Sequence, residues 1–544
     1  MQRLRIVAIS GPVGAGKSTL ARRLAERYNG QHLSTKELLR THARTIGDAL
    51  PDERRALQDY GDALDAQTDG GWVARAAALH VAEEAAAGLV IVDAVRIQRQ
   101  IDALRGAFGA HVIHLHLYSS KEVLARRYID RGGTSGLAEL PSYADVAANA
   151  TEAAVHELVR DADVAIDTER SNVEDVLIRA AAALGLLPAV GRRLVDVLVG
   201  GQYGSEGKGN IAFYLAGEYE VLVRVGGPNA GHRVPLPTPY THRSLPSGTM
   251  ANPDAALVIG PGATLDVDVL LAEIAACAVE ATRLTIDPQA MIIEDTDRAA
   301  ELALVAGIGS TGKGGGAAAA RRISGRYPDP RSVPVRLARD VPELKAYVRP
   351  SADVLEDAYR DGGRILLEGT QGTALSLFHG PYPYVTSRDT TTAGCLSEAG
   401  IGPHRLRRVI LVTRTYPIRV QNPSNGTSGP ISQEISYDIL AERSGVSHQT
   451  LVATEKGSVT AKQRRFGEFD WRLLRRAVEL NGATDIALTF TDYLDVANQN
   501  ARRFEQLAPD TIRFIEEVER VAGIPVSLLG TRFDVRSVID RRRW

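Results

Sequence analysis

Short apolar runs that empty into glycine-rich or polar turns set the rhythm of this chain. Leu4–Ser10 (LRIVAIS), Gly88–Asp93 (GLVIVD), His111–Tyr118 (HVIHLHLY) and Val164–Asp167 (VAID) are short and mostly β-branched or leucine-rich. That pattern predicts strands buried on both faces rather than helices. Amphipathic stretches lie between them, Leu20–Tyr28 and Val173–Leu184 (VEDVLIRAAAAL) among them, and predict helices. Strand alternating with helix over 1–187 predicts a doubly wound parallel α/β domain. Proline and glycine in Leu186–Arg193 (LLPAVGRR) break the pattern, so a linker is expected at 188–193. The pattern resumes at Leu194–Val199 (LVDVLV), and 194–544 is expected to form a second, larger α/β domain.

A chain of 544 residues is too long for one core, which agrees with two domains. A formal charge of −2 gives no electrostatic argument for nucleic acid or a membrane surface. No stretch approaches the ~18 uninterrupted apolar residues of a membrane span. The chain opens on a strand without a signal-peptide core, and its two cysteines, Cys277 and Cys395, sit in apolar or glycine-rich settings. A reducing, cytoplasmic location is expected, with both cysteines as small core residues.

The chemistry is concentrated where strands meet glycine. After Leu4–Ser10 comes Gly11-Pro12-Val13-Gly14-Ala15-Gly16-Lys17-Ser18-Thr19, the G-x-x-x-x-G-K-S pattern between a strand and a helix. Its amides would cradle the phosphates of ATP, Lys17 would hold the β- and γ-phosphates, and Ser18 would bind Mg²⁺. Asp93, ending the second buried run, is placed to act with that ion. A second cradle follows Leu194–Val199: Gly200-Gly201-Gln202-Tyr203-Gly204-Ser205-Glu206-Gly207-Lys208-Gly209-Asn210. Its glycines let backbone amides approach phosphate oxygens, and Lys208 supplies charge. It is answered by Gly226-Gly227-Pro228-Asn229-Ala230-Gly231-His232, whose His232 would serve the same phosphates as an acid or an electrostatic partner.

The first half resembles adenylate-kinase-like nucleotide kinases. The resemblance implies that Thr35 and Arg40 in His32–Arg40, with Arg96, contact an acceptor monophosphate, although Ser34 capping a surface helix would read the same. It also implies lid arginines Arg126, Arg127 and Arg131 in Ser119–Gly133, where a solvated helix face would look alike.

The second half, 194–544, resembles the adenylosuccinate synthetase family. The resemblance rests on the two glycine loops, on Gly307–Gly314 (GIGSTGKG), on Ile365–Thr373 (ILLEGTQGT) with His379–Ser387 (HGPYPYVTS), and on Lys456–Gly467 (KGSVTAKQRRFG). It implies that Gly204, Glu206, Gly207, Gly209 and Asn210 bind the donor, with Phe490, Asp492, Gly530 and Thr531 around its base. It implies that Asn229, Thr311, Gln371 and Thr386 hold the acceptor, and that Thr460, Lys462 and Arg464 bind L-aspartate. Ser205 and Gly231 would lie by Mg²⁺. The family's arginine that reaches a neighbouring subunit maps to Arg321, which implies a homodimer, although the spacer before Ala320-Arg321-Arg322 is shorter than usual.

Two positions depart from that pattern. The family's base, a carboxylate directly before Glu-Gly-Lys-Gly, is Ser205 here, and a hydroxyl is a poor base. Phe490 replaces a lysine of the guanine-reading motif and suits stacking on adenine. With Ser387-Arg388-Asp389-Thr390-Thr391, these resemble the phage-type branch that joins aspartate to dGMP using ATP. The alternatives are an enzyme using IMP and GTP, and a nucleotide-sensing switch without turnover.

Overall fold

The computed structural model describes residues 4–48, 50–83, 88–130, 140–327, 333–457 and 462–542. The chain divides into two compact units, Met1–Leu187 and Pro188–Trp544.

The first unit is a five-stranded parallel sheet in the order Gln31–Ser34, Leu89–Val95, Arg5–Ser10, Val112–Tyr118, Val164–Asp167. Its middle strand shows why helices cover both faces. Val7 and Ile9 pack with Leu20 and Leu24 of helix Lys17–Tyr28. Ile6 and Ala8 pack on the other side with Leu57, Val73, Ile101 and Leu104 from three further helices. An all-apolar strand can be buried only that way.

The second unit carries a nine-stranded sheet. Its order is Leu284–Ile286, Ala256–Ile259, Val221–Arg224, Ile365–Glu368, Val195–Gly200, Leu406–Arg414, Asp485–Thr489, Val526–Gly530 and Val538–Asp540. Only the last pairing is antiparallel. Val195, Val197 and Val199 face one core and Leu198 the other. The chain winds outward in both directions from Val195–Gly200, so the crevice past that strand's carboxyl end is the topological switch point, where ligands bind in open α/β sheets. Among the described residues, no helix is long and apolar enough to cross a membrane. Both cysteines are free, Cys395 buried and Cys277 half-buried, and burial pushes each thiol up to about 11.

Candidate functional site

The glycine loop leaves Val195–Gly200 at the switch point and turns into helix Lys208–Leu215. Gly207 caps that helix with φ +90°, a left-handed conformation that glycine adopts without strain. Ser205 is also left-handed, with φ +57°, and is exposed. The Glu206 side chain turns into the loop rather than out of it. It is wholly buried, accepting from the amides of Gln202 (3.1 Å) and Gly204 (2.8 Å) and from Lys208 Nζ (2.6 Å). The carboxylate shapes the loop from within, so a donor contact at this position falls to the backbone amide rather than to the side chain. Lys208 Nζ also donates to Gln371 O at 2.5 Å, which ties the loop to the strand end beside it.

His232 follows the second glycine loop and is held from behind. Its Nδ1 contacts Glu368 Oε1 and lies 2.8 Å from Arg224 Nη1. Glu368 also accepts from Arg224 (2.7 Å), Ser247 N (2.7 Å) and Ser247 Oγ (2.5 Å). Burial and the Arg224 charge push the imidazole down to about 3, so the ring is neutral at pH 7. Burial alone would raise Glu368, but Arg224 and His232 outweigh it and hold the carboxyl far below its ordinary value. Nε2 is left as the ring's remaining polar atom.

Beside these loops lies a cavity of about 230 Å³ that gathers much of the expected acceptor and aspartate set. Ser205, Lys208, Asn229, Gly231 and His232 line it, with Thr311, Gln371, Thr386 and Arg464. Gln371 Nε2 donates to Thr386 Oγ1 at 2.8 Å, leaving Gln371 Oε1 a buried acceptor without a partner. Arg464 Nη2 donates to Ser205 Oγ at 3.1 Å, and Arg464 Nε is a buried donor without a partner. Lys462 is exposed and absent from the lining, and Thr460 lies outside the described residues. Arg321 departs from expectation. It donates to Asp297 (3.0 and 2.6 Å) and to the carbonyls of Pro334 and Ile292, so its guanidinium is consumed within its own unit and gives the homodimer expectation no support.

Sequence alone did not point to Tyr203, Glu301 and Arg419, all in the lining. Glu301 accepts from the amides of Gly314 (2.8 Å) and Gly316 (2.7 Å), the mouth of helix Gly315–Ser324. Arg419 stacks on Tyr203, 4.6 Å from the ring centroid, and burial pushes it down to about 10.

The expected donor-base residues stand at the next two strand ends. Thr489 Oγ1 donates to Glu206 O at 2.6 Å, which joins Asp485–Thr489 to the glycine loop. Phe490 lies under the Arg414 guanidinium, 3.8 Å from its centroid, another partner that sequence did not show. Asp492 is buried, Gln499 donates to its Oδ2 at 3.2 Å, and Oδ1 has no partner. Burial pushes its carboxyl up to about 6. Gly530 accepts from Thr491 Oγ1, and the Thr531 hydroxyl is spent on Ser537 O.

In the first unit, a cavity of about 650 Å³ is lined by Gly11, Gly14, Gly16, Lys17, Ser18 and Thr19, with Thr35, Asp93, Arg96 and Arg127. Burial would raise Asp93, but hydrogen bonds from His32, Ser18 and the Thr35 amide outweigh it and hold the carboxyl low. Arg40 is not in the lining and is spent on Glu37 and Asp52, which corrects its assignment to an acceptor phosphate. Arg96 pairs with Glu152, and Arg127 donates to Thr168. Arg126 is not in the lining, and Arg131 lies outside the described residues. His114 and His116 converge on Ser10 Oγ at 2.7 and 2.8 Å, a buried hydrogen-bond relay behind the loop.

For Mg²⁺, Ser18 Oγ and the Asp93 carboxylate are hard oxygens already hydrogen-bonded together, and they fit the ion. In the second unit Ser205 Oγ and the Gly231 carbonyl are neutral oxygens. They fit an ion whose charge is balanced by nucleotide phosphates.

The adenylosuccinate synthetase family model matches residues 197–327 and 329–499, and an AAA domain model matches 10–139. The adenylosuccinate synthetase of Thermococcus onnurineus is 38% identical over 356 residues, covering 64% of this chain and 98% of that protein. That of Methanocaldococcus jannaschii is 37% identical, covering 64% and 96%. Among solved structures, a cyanophage S-2L succinoaminodeoxyadenylate synthetase bound to dGMP and dATP is 30% identical with a TM-score of 0.54, covering 64% of this chain and 96% of that one. A kinase-like P-loop domain thus precedes a ligase-type unit, and by that second unit the chain belongs to the adenylosuccinate synthetase family.

Proposed function

We propose that the second unit joins L-aspartate to C6 of dGMP at the expense of ATP, and that the first unit is a nucleoside monophosphate kinase. The observation that carries the ligase reading is Ser205, a hydroxyl held beside Arg464 at the position of the family's carboxylate base. The purine O6 would attack the γ-phosphorus of ATP as N1 gives up its proton to solvent, since the Ser205 hydroxyl is a poor base. The bond from that phosphorus to the β–γ bridging oxygen breaks, and ADP leaves with the electron pair. The aspartate amine then forms its bond to C6 as the C6–O6 bond breaks and phosphate departs. Mg²⁺, held by Ser205 and Gly231, would neutralise phosphate charge during the first step. His232 and Lys208 would stabilise the transferring group. Gln371 offers its free Oε1 to an N–H on the purine edge. Guanine's 2-amino group adds bulk beside N1, for which the small Ser205 side chain leaves room. Phe490, one face under Arg414, offers the other to a donor adenine.

One observation favours the family's usual pair, IMP and GTP. Asp492 Oδ1 is a buried acceptor without a partner at the donor-base position, and a guanine base would supply N–H groups to it. End-point mass spectrometry of the protein with Mg²⁺ and aspartate separates the two. We expect a succinylated dGMP from dGMP and ATP; adenylosuccinate from IMP and GTP alone would overturn the reading.

Arg464 has a separate expectation. Its buried, unpartnered Nε suits a carboxylate, and a charge-assisted hydrogen bond is worth ~1.5–3 kcal/mol. Arg464→Met should therefore raise KM for aspartate about 10- to 100-fold and leave KM for the nucleotides nearly unchanged in steady-state kinetics. Equal increases for all three substrates would show that the residue holds the loop rather than the substrate.

A further inference from the structure

Helix Arg54–Thr68 presents an unusual polar stripe to the cavity of the first unit. Arg54, Gln58, Gly61 and Asp65 recur at i, i+4, i+7 and i+11, one helix face, and all four line the cavity. Three of them have a feature that core packing does not explain. Gln58 is 4% exposed, yet its Nε2 has no hydrogen-bond partner, a cost that a ligand acceptor would remove. Gly61 sits in the helix interior, where glycine weakens the helix. A Cβ added there would touch nothing closer than Leu39 Cδ1 at 3.6 Å, so no protein atom demands its absence. Asp65, 8% exposed, is fixed from behind: Trp72 Nε1 donates to it at 2.6 Å and Gln100 Nε2 at 2.8 and 3.0 Å. Gln100 in turn accepts from the Arg96 amide at 2.8 Å.

We propose that this stripe is the base-reading wall of the kinase acceptor site, taking a purine nucleoside monophosphate that carries an exocyclic amino group. The flat ring lies over Gly61, Gln58 Nε2 donates to the purine's acceptor atom, and the amino group donates to Asp65. Asp65, whose two oxygens already face the Trp72 and Gln100 donors, offers its remaining lone pairs to an N–H on the ligand; Gln58 supplies the donor that the base's carbonyl or bare ring nitrogen requires. Arg54, in the same lining, supplies positive charge for the 5′-phosphate, and Arg96 adds to it on exchanging Glu152 for the phosphate. A phosphate oxygen of the acceptor bonds to the γ-phosphorus of ATP. The bond to the β–γ bridging oxygen breaks, and ADP leaves with that electron pair. The inference rests on the kinase reading of the first unit and is independent of the ligase reading of the second.

The test is diphosphate formation by the full chain with ATP and Mg²⁺ and without aspartate, so that no ligase product forms. Deoxynucleoside monophosphates of guanine, 2,6-diaminopurine, adenine, hypoxanthine, cytosine and thymine are compared. We expect at least one amino-bearing purine to be phosphorylated, with dIMP, which lacks the amine, at least 10-fold poorer in kcat/KM. Gly61→Leu fills the shelf while strengthening the helix. It should raise KM for the purine at least 10-fold without lowering Tm, and Gln58→Leu should do the same. Use of dIMP equal to that of the best amino-bearing purine, preference for a pyrimidine, or an unchanged KM in both variants would overturn the base-reading wall while leaving the kinase standing. No diphosphate from any of the six would overturn both. Succinylated nucleotide formed by the same variants when aspartate is added reports on the ligase separately and should match wild type.

Discussion

His232→Ala should lower kcat of the ligase by about 10²- to 10³-fold, the usual cost of removing one preorganised group that meets developing charge. KM for both nucleotides should change little, because the ring acts where charge accumulates rather than where the substrates are gripped. The fold should survive. Glu368 keeps Arg224 at 2.7 Å and both donors of Ser247, so truncating the ring leaves no buried carboxylate alone. Glu368→Gln makes the contrast. It leaves the buried Arg224 guanidinium without its counter-charge, a change of the kind that costs ~3–5 kcal/mol, so that variant should lose stability as well as rate. The pH dependence has a definite sign. The imidazole is pushed down to about 3 in the fold, against roughly 6.5 in an unfolded chain. Below that unfolded value the open chain takes up a proton that the native ring refuses, so stability is lost as pH falls from about 6.5 toward 3. His232→Ala deletes this component and should show a shallower acid decline in denaturation midpoint. A steeper decline, or an unaltered kcat, would remove His232 from the assigned role.

Much of the architecture was legible because it depends on short-range signals. Val195–Val199 and Leu4–Ser10 are apolar on both faces, and glycine follows each, so strand, turn and helix are dictated locally. The same locality carried Lys208 and Gln371 into one lining, since each rides a loop that leaves an obvious strand, Val195–Gly200 for one and Ile365–Glu368 for the other. What sequence could not show depends on distant partners. Arg224 meets Glu368 across 144 residues, and Phe490 meets Arg414 only because their strands are adjacent in the sheet. The inward turn of the Glu206 side chain has a geometric cause. The turn at left-handed Gly204 and Ser205 brings the amides of Gln202 and Gly204 around its carboxylate, and no spacing rule reports that curl. Arg321 and Arg40 were misread for a chemical reason. An arginine quoted from a motif is still a set of donors open to the nearest acceptor, here Asp297 for Arg321 and Glu37 with Asp52 for Arg40. The stripe on Arg54–Thr68 has the period of any amphipathic helix, and the unpartnered Gln58 nitrogen, the open space at Gly61 and the buried Asp65 carboxylate distinguish it from a solvated face.

Ser205→Asp should exchange the acceptor of the ligase. The backbone accepts the change, because aspartate is among the residues that enter the left-handed region most readily and position 205 stands at φ +57°. The new carboxylate would lie against Arg464, whose Nη2 already reaches the serine oxygen at 3.1 Å, so it should be ionised at neutral pH. An ionised carboxylate there can take the N1 proton of a 6-oxopurine, and a positioned general base is worth about 10²- to 10⁴-fold. IMP, which has no 2-amino group to accommodate, should gain by at least about 100-fold in kcat/KM. dGMP gains the same base but loses the space that the smaller serine leaves for its amino group. Its kcat/KM should fall by at least about 100-fold, and the preference between the two acceptors should reverse. Pairing with the introduced carboxylate also draws the Arg464 guanidinium from the aspartate substrate, so KM for that substrate should rise in both reactions. Competition assays with dGMP and IMP in one vessel read the reversal directly from product masses. If the variant uses dGMP as well as wild type or better, the serine is not what admits guanine, and acceptor choice must then lie with Gln371 and the groups around it.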